Sequence, residues 1–128
     1  MKLDKDLVRE ILLAIEASDH NPEHPMILNL ENRTQREVSF HVTLLDEAGL
    51  LKAEHIGLIQ DDGVHVRQPK RLTYKGYEYL DTFRDGEVWR RTKAGAEKAG
   101  GAGMGLLLEL GKAYAKQVLK ERIGIELP

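Results

Sequence analysis

Residues 34–49 leave the chain little conformational freedom. Thr34-Gln35-Arg36-Glu37 is a capping box: the threonine hydroxyl accepts from the N3 backbone N–H, and the glutamate carboxylate reaches back to the cap N–H. Gly49 is the stop, because glycine enters the left-handed conformation after a helix without a Cβ penalty. Between these signals Val38, His41, Val42, Leu45 and Ala48 recur on one helical face. The spacing predicts a helix from about Gln35 to Ala48, bounded at both ends and apolar on one side.

The flanks supply partners for that side. Over residues 4–17, Leu7, Val8, Ile11, Leu12 and Ile15 share a face opposite Asp6, Arg9, Glu10 and Glu16, and Asp4 is a suitable N-cap. Asp19, Asn21, Pro22 and Pro25 oppose any continuation, and MILNL (26–30) alternates apolar with polar, as a short strand does. After Gly49, LKAEHIGLI (51–59), the turn Gln60-Asp61-Asp62-Gly63 and the alternating stretch from Val64 predict a β-hairpin. Thr73 caps a further helix to about Arg84. Asp85-Gly86 interrupts it, and helix resumes through Trp89 to about Lys98. Leu80, Phe83 and Trp89 read as packing residues. Tyr74, Tyr77 and Tyr79 lie in a basic setting with Arg71 and Lys75 and could stack on bases, but their spacing on a helix behind the hairpin favours packing. Gly100, Gly101, Gly103 and Gly105 form a joint before a last helix from about Leu106 to Arg122. This divides the chain into a domain at 1–98, a glycine-rich joint at 99–105 and a C-terminal helical segment at 106–128.

Composition narrows the function classes. With 128 residues, 41% apolar and 31% charged, the chain suits one modest globular core. It has no cysteine, so disulfide scaffolds and thiolate metal sites are excluded. No apolar stretch approaches the ~20 residues of a membrane span, and the charged opening MKLDKDLVRE is unlike a secretion signal, so a cytoplasmic location is expected. The net charge of −2 argues against indiscriminate coating of nucleic acid, but it is unevenly spread: residues 64–93 carry +4 and the remainder −6.

Sequence motifs for catalysis or cofactor binding fail on spacing. Gly95 and Gly100 are separated as in a phosphate loop, but Gly101 stands where lysine is required, and the glycine cluster lacks the dinucleotide-binding pattern. His20 and His24 are divided by Pro22 and have no third ligand nearby. His41 sits on the inward face of its helix, as a core histidine does. No serine, histidine and carboxylate cluster suggests a triad. The expectation is a non-enzyme without metal or cofactor.

The order of elements is helix, short strand, helix, two-stranded hairpin, helix. That is the order of a winged helix-turn-helix: an α+β, mostly helical fold with a two-stranded wing and, here, extra C-terminal helices. On the 35–48 helix, Gln35, Arg36, Ser39 and Thr43 are expected on the outward face. There Gln and Arg can make bidentate contacts to base edges, and Ser and Thr can hydrogen-bond phosphates or bases. His65, Arg67, Lys70 and Arg71 on the wing would touch phosphates, by its flank rather than by the acidic tip Asp61-Asp62. Phe40, near the outward side, would meet a partner or the hairpin. A full helix-turn-helix also needs a helix before the recognition helix; Pro25 and the asparagines of EHPMILNLENR (23–33) oppose one.

VSFHVTLLDEAGLL (38–51) resembles the recognition helix of arsenical-repressor-type bacterial regulators, and RLTYKGYEYL (71–80) resembles the segment after the wing in many winged-helix repressors. The chain lacks the thiolates of metal-sensing regulators, so soft-metal sensing is not implied. More widely, MKLDKDLVREILLAIE, EVSFHVTLLDEAGLL, RLTYKGYEYLDTFRDGEVWRRTK and the glycine-rich joint resemble a family of short bacterial and phage proteins known only as a domain of unknown function. That resemblance implies a winged-helix fold and no established activity. The resulting expectation is a DNA-binding transcriptional regulator with duplex DNA as partner and a homodimer through the C-terminal helix. The alternative is a protein-interaction module of the same fold without DNA contact.

Overall fold

In the computed structural model the described residues are 1–59, 64–101 and 103–124, with side chains described outside 57–66. The acidic turn Asp61-Asp62 and the His65 side chain lie outside them. Seven elements follow in order: α1 (Lys5–Ala17), α2 (Gln35–Glu47), β1 (Leu51–Ile59), β2 (Val64–Leu72), α3 (Tyr74–Phe83), α4 (Gly86–Lys98) and α5 (Met104–Ile123). The fold is α+β, mostly helical, with one two-stranded antiparallel sheet. Backbone packing divides the chain between Glu78 and Tyr79 into two compact units.

In the first unit, Asp4 caps α1 by accepting from Leu7 N–H at 3.1 Å, and Leu7, Val8, Ile11, Leu12 and Ile15 are buried. The capping box of α2 forms both its bonds: Thr34 Oγ1 accepts from Glu37 N–H, and Glu37 Oε1 accepts from Thr34 N–H, each at 3.1 Å. Gly49 follows with φ +79°, as its role as helix stop requires. His41 is fully buried and joins the two helices: its Nε2 accepts from Asp4 N–H at 2.8 Å, and its Nδ1 donates to Glu37 O at 2.8 Å. Those two bonds select the neutral Nδ1–H tautomer. Arg33 adds a charged tie, reaching Asp4 at 2.6 Å and Glu10 at 3.1 Å. Burial alone would raise the Asp4 carboxyl; hydrogen bonds from Arg33 and the Leu7 N–H outweigh it and hold its pKa below the usual value.

One expected element is absent. Residues 26–30 are not a strand, and no helix occurs anywhere in 18–34. Met26 N–H donates to Pro69 O at 2.9 Å, but proline has no N–H to return, so the ladder does not propagate. The connection instead turns at Glu31-Asn32, where Asn32 takes φ +62°, a conformation asparagine tolerates. The helix that would brace α2 in a full helix-turn-helix is therefore missing.

The base of the hairpin is fixed to the end of α2. Leu51 pairs with Leu72, and both are buried. Thr73 N–H donates to Leu50 O at 3.1 Å, and Thr73 Oγ1 donates to Gly49 O at 2.5 Å while accepting from Gly76 N–H at 3.1 Å. Gly76 lies against the Leu50 carbonyl so closely that any Cβ there would overlap its oxygen. Ala48-Gly49-Leu50 and Leu72-Thr73 with Gly76 thus form one interlocked structure.

In the second unit α4 packs on α5. Asp85 caps α4, accepting from Glu87 and Val88 N–H, and pairs with Arg122 at 2.5 Å. Glu87 pairs with Arg90 and Arg91, and Arg91 reaches on to Glu121 at 2.8 Å. The Phe83 ring lies edge-on to Tyr79 and Trp89 and against Gly111, where a Cβ would collide with it.

Candidate nucleic-acid interface

The residues expected to face DNA divide into three groups. Gln35 and Arg36 are exposed in the first turn of α2, and Arg36 has no ion-pair partner. Ser39 is a correction: it is 3% exposed, because its Oγ accepts from Arg67 N–H at 2.9 Å. Its hydroxyl fastens β2 to α2. Thr43, one turn further, is half-buried and donates to Ser39 O at 2.9 Å, so its hydroxyl is also engaged locally.

Two basic side chains of the hairpin are compensated. Arg67 faces Asp46 of α2 at 3.8 Å, and Lys70 pairs with Glu54 across the hairpin at 3.3 Å. Arg71 differs: it is exposed and donates only to Leu72 O, at 3.2 Å. Within the +4 segment, Arg84, Arg90 and Arg91 also pair with acids. Arg71 and Lys75 have no carboxylate partner; Lys75 donates to Ala48 O at the end of α2, at 3.0 Å. Opposite-charge pairs on an exposed surface add little stability, but they remove cations from the field a phosphate would meet.

Three residues absent from the expected site belong beside it. Lys52 is exposed, has no partner, and stands directly opposite Arg71 in the antiparallel register. Tyr74 and Tyr77 are exposed at 80% and 44%. The expectation that they pack behind the hairpin is therefore corrected. Thr73 and Gly76 dock the first turn of α3 by backbone and hydroxyl bonds, and Tyr79 and Leu80 supply the buried face. The usable sequence signal was the helical phase: with Gly76, Tyr79 and Leu80 inward, positions 74 and 77 must point away. Phe40 is half-buried, its ring edge-on to His41 at 5.4 Å.

Among the described residues no cluster of acids and histidines could hold a metal ion, and no helix is long and apolar enough to cross a membrane. The family model described as "Hypothetical protein (DUF2513)" matches residues 2–102. The chain belongs to the DUF2513 family. An "Uncharacterized protein" of Haemophilus influenzae is 31% identical over 93 residues, covering 73% of this chain and 76% of that protein. No solved structure matches. The match to the DUF2513 model takes in the first unit from residue 2 onward, α4 and most of the glycine-rich joint, so the Thr73–Gly49 lock and both ends of α2 lie inside it.

Proposed function

We propose that the first unit of this DUF2513 protein is a winged-helix-type module that binds duplex DNA and acts in transcriptional regulation. The observation that carries the reading is the first turn of α2. Gln35 and Arg36 project from it side by side, exposed, with no acid neutralising Arg36. Both side chains can make two parallel hydrogen bonds to a purine edge. The Ser39–Arg67 bond supports the reading from behind, since it holds the hairpin at a fixed place along the same helix.

The compensated wing limits the affinity. With Arg36 on a base edge and Arg71 as the phosphate-neutralising cation, log K falls with log salt at a slope of about −1, from roughly 0.9 per neutralised phosphate. In selection from a random-site duplex library at low salt, the protein enriches a motif. Arg36→Ala flattens that motif, whereas Arg71→Ala weakens all duplexes alike. A library that emerges unselected by wild type overturns the reading.

A second reading has its own observation. Of the 20 residues of α5, only Leu107, Gly111 and Val118 are buried, and Leu106 is 53% exposed. We infer that this helix supports a homodimer. Sedimentation of the full-length protein would show dimer mass for wild type and monomer for Leu106→Glu; equal masses discard the idea.

A further inference from the structure

We propose a second nucleic-acid surface, at the other end of α2 from Arg36: a platform for unpaired bases built from Tyr74 and Tyr77, flanked by Lys52, Arg71 and Lys75. It shares Arg71 with the duplex reading but rests on Tyr74, Tyr77 and Lys52, which that reading does not use. Tyr74 and Tyr77 lie one turn apart on α3, on the side away from the buried Gly76, so their rings are neighbours. Lys75 lies between them in sequence, and its amine is held at the end of α2 by Ala48 O. Arg71 precedes Tyr74 by three residues, and Lys52 faces Arg71 across the hairpin.

That last pairing is the least expected. Two cations directly opposite each other on neighbouring strands repel, and neither forms an ion pair among the described residues. The hairpin has acids available: Glu54 pairs with Lys70, and Asp46 of α2 faces Arg67. At Lys52 and Arg71 the charge is left open, and an anion lying between them would relieve the repulsion. An isolated anion does not explain the adjoining aromatic faces, whose exposure leaves large apolar rings in water. A chain of phosphates carrying planar bases satisfies both, with phosphates between Lys52, Arg71 and Lys75 and bases on the tyrosine faces. This is the combination by which single strands are held without sequence preference. The nearest exposed acid on α3 is Glu78, which follows Tyr77 and lies one turn after Tyr74 on the same face, so a phosphate must sit on the Arg71 and Lys52 side of the rings.

The test is fluorescence anisotropy on the full-length protein with labelled 12-nucleotide single strands, one DNA and one RNA of equal sequence, and the DNA duplex as a third arm. Wild type binds a single strand at low salt, and the tighter of the two names the source. Tyr74→Ala with Tyr77→Ala lowers that affinity about tenfold or more, the magnitude of losing base stacking. Tyr74→Phe with Tyr77→Phe retains it, because the ring face is what stacks. Lys52→Ala with Arg71→Ala lowers it and flattens the salt dependence. Both tyrosines are exposed, and unchanged thermal melts show that the variants fold. Failure of either single strand to bind, equal binding by the double alanine variant, or equal competition by polyglutamate overturns the proposal. Single-strand binding without duplex binding sinks only the duplex reading.

Discussion

Gly76 shows how one missing methyl group positions an entire hairpin. A Cβ there would overlap the backbone oxygen of Leu50, which cannot swing aside without moving the end of α2. Gly76→Ala is expected to lower stability by about 1–3 kcal/mol, the usual range for overpacking a close contact. A matching control is Gly105→Ala, in the first turn of α5 with open space around its Cβ position. That change should leave stability unchanged or raise it by up to ~1 kcal/mol, since alanine loses less backbone entropy in a helix. Urea midpoints of the two variants check both signs. Ser39 teaches a related lesson. A small polar residue beside the outward arc of a helix reads as a base contact, yet the hydroxyl is spent on the Arg67 N–H. Helical phase placed Gln35, Arg36 and the inward Val38, His41, Val42 and Leu45 correctly. It could not show that a strand from far along the chain would cover Ser39.

The elements themselves were legible wherever a local signal closed them. Asp4, Thr34 and Asp85 all cap helices, and Gly49 ends one, as their chemistry requires. The segment 26–30 failed because strand formation depends on a partner outside the segment, and the partner here presents Pro69. α4 and α5 depend more on charge. Asp85 is held down to about 2 by the Arg122 hydrogen bond, and Glu87 to about 2 by hydrogen bonds from Arg90 and Arg91. Carboxyls depressed in this way add stability that is fully present above about pH 4 and is lost as pH falls toward 2. Acid titration should therefore loosen the α4–α5 contact across that window. Trp89, the single tryptophan, lies against Phe83 and reports it by fluorescence. Arg122→Gln should move the fluorescence transition to higher pH, because Asp85 then titrates nearer its ordinary value. An unmoved transition would show that the Asp85–Arg122 pair does not contribute.

At the scale of the molecule, the net charge of −2 and the +4 of residues 64–93 both mislead if taken as a surface map. Counting residues along the chain cannot show that Arg67 finds Asp46, that Lys70 finds Glu54, or that Arg84, Arg90 and Arg91 are paired within their own unit. Around α2 and the hairpin, the cations without a carboxylate partner among the described residues are Arg36 at one end of α2, and Lys52, Arg71 and Lys75 at the other. Only the first of these locations was readable from helical phase alone, because the second is created by strand register.

The bonds among Gly49, Leu50, Leu72, Thr73 and Gly76 bring the two ends of the hairpin to fixed places, whatever lies between them. Seen this way, the part of the hairpin beyond the His55–Arg67 pair is an interchangeable cartridge, and its base belongs to a constant socket. Lengthening a loop whose ends are already clamped adds only a slowly growing entropic cost. Relatives could therefore carry longer, shorter or differently charged hairpins while keeping α1, α2 and the start of α3 unaltered. Diversification within such a family would be concentrated in the hairpin, with Thr73 and Gly76 as the parts that cannot change.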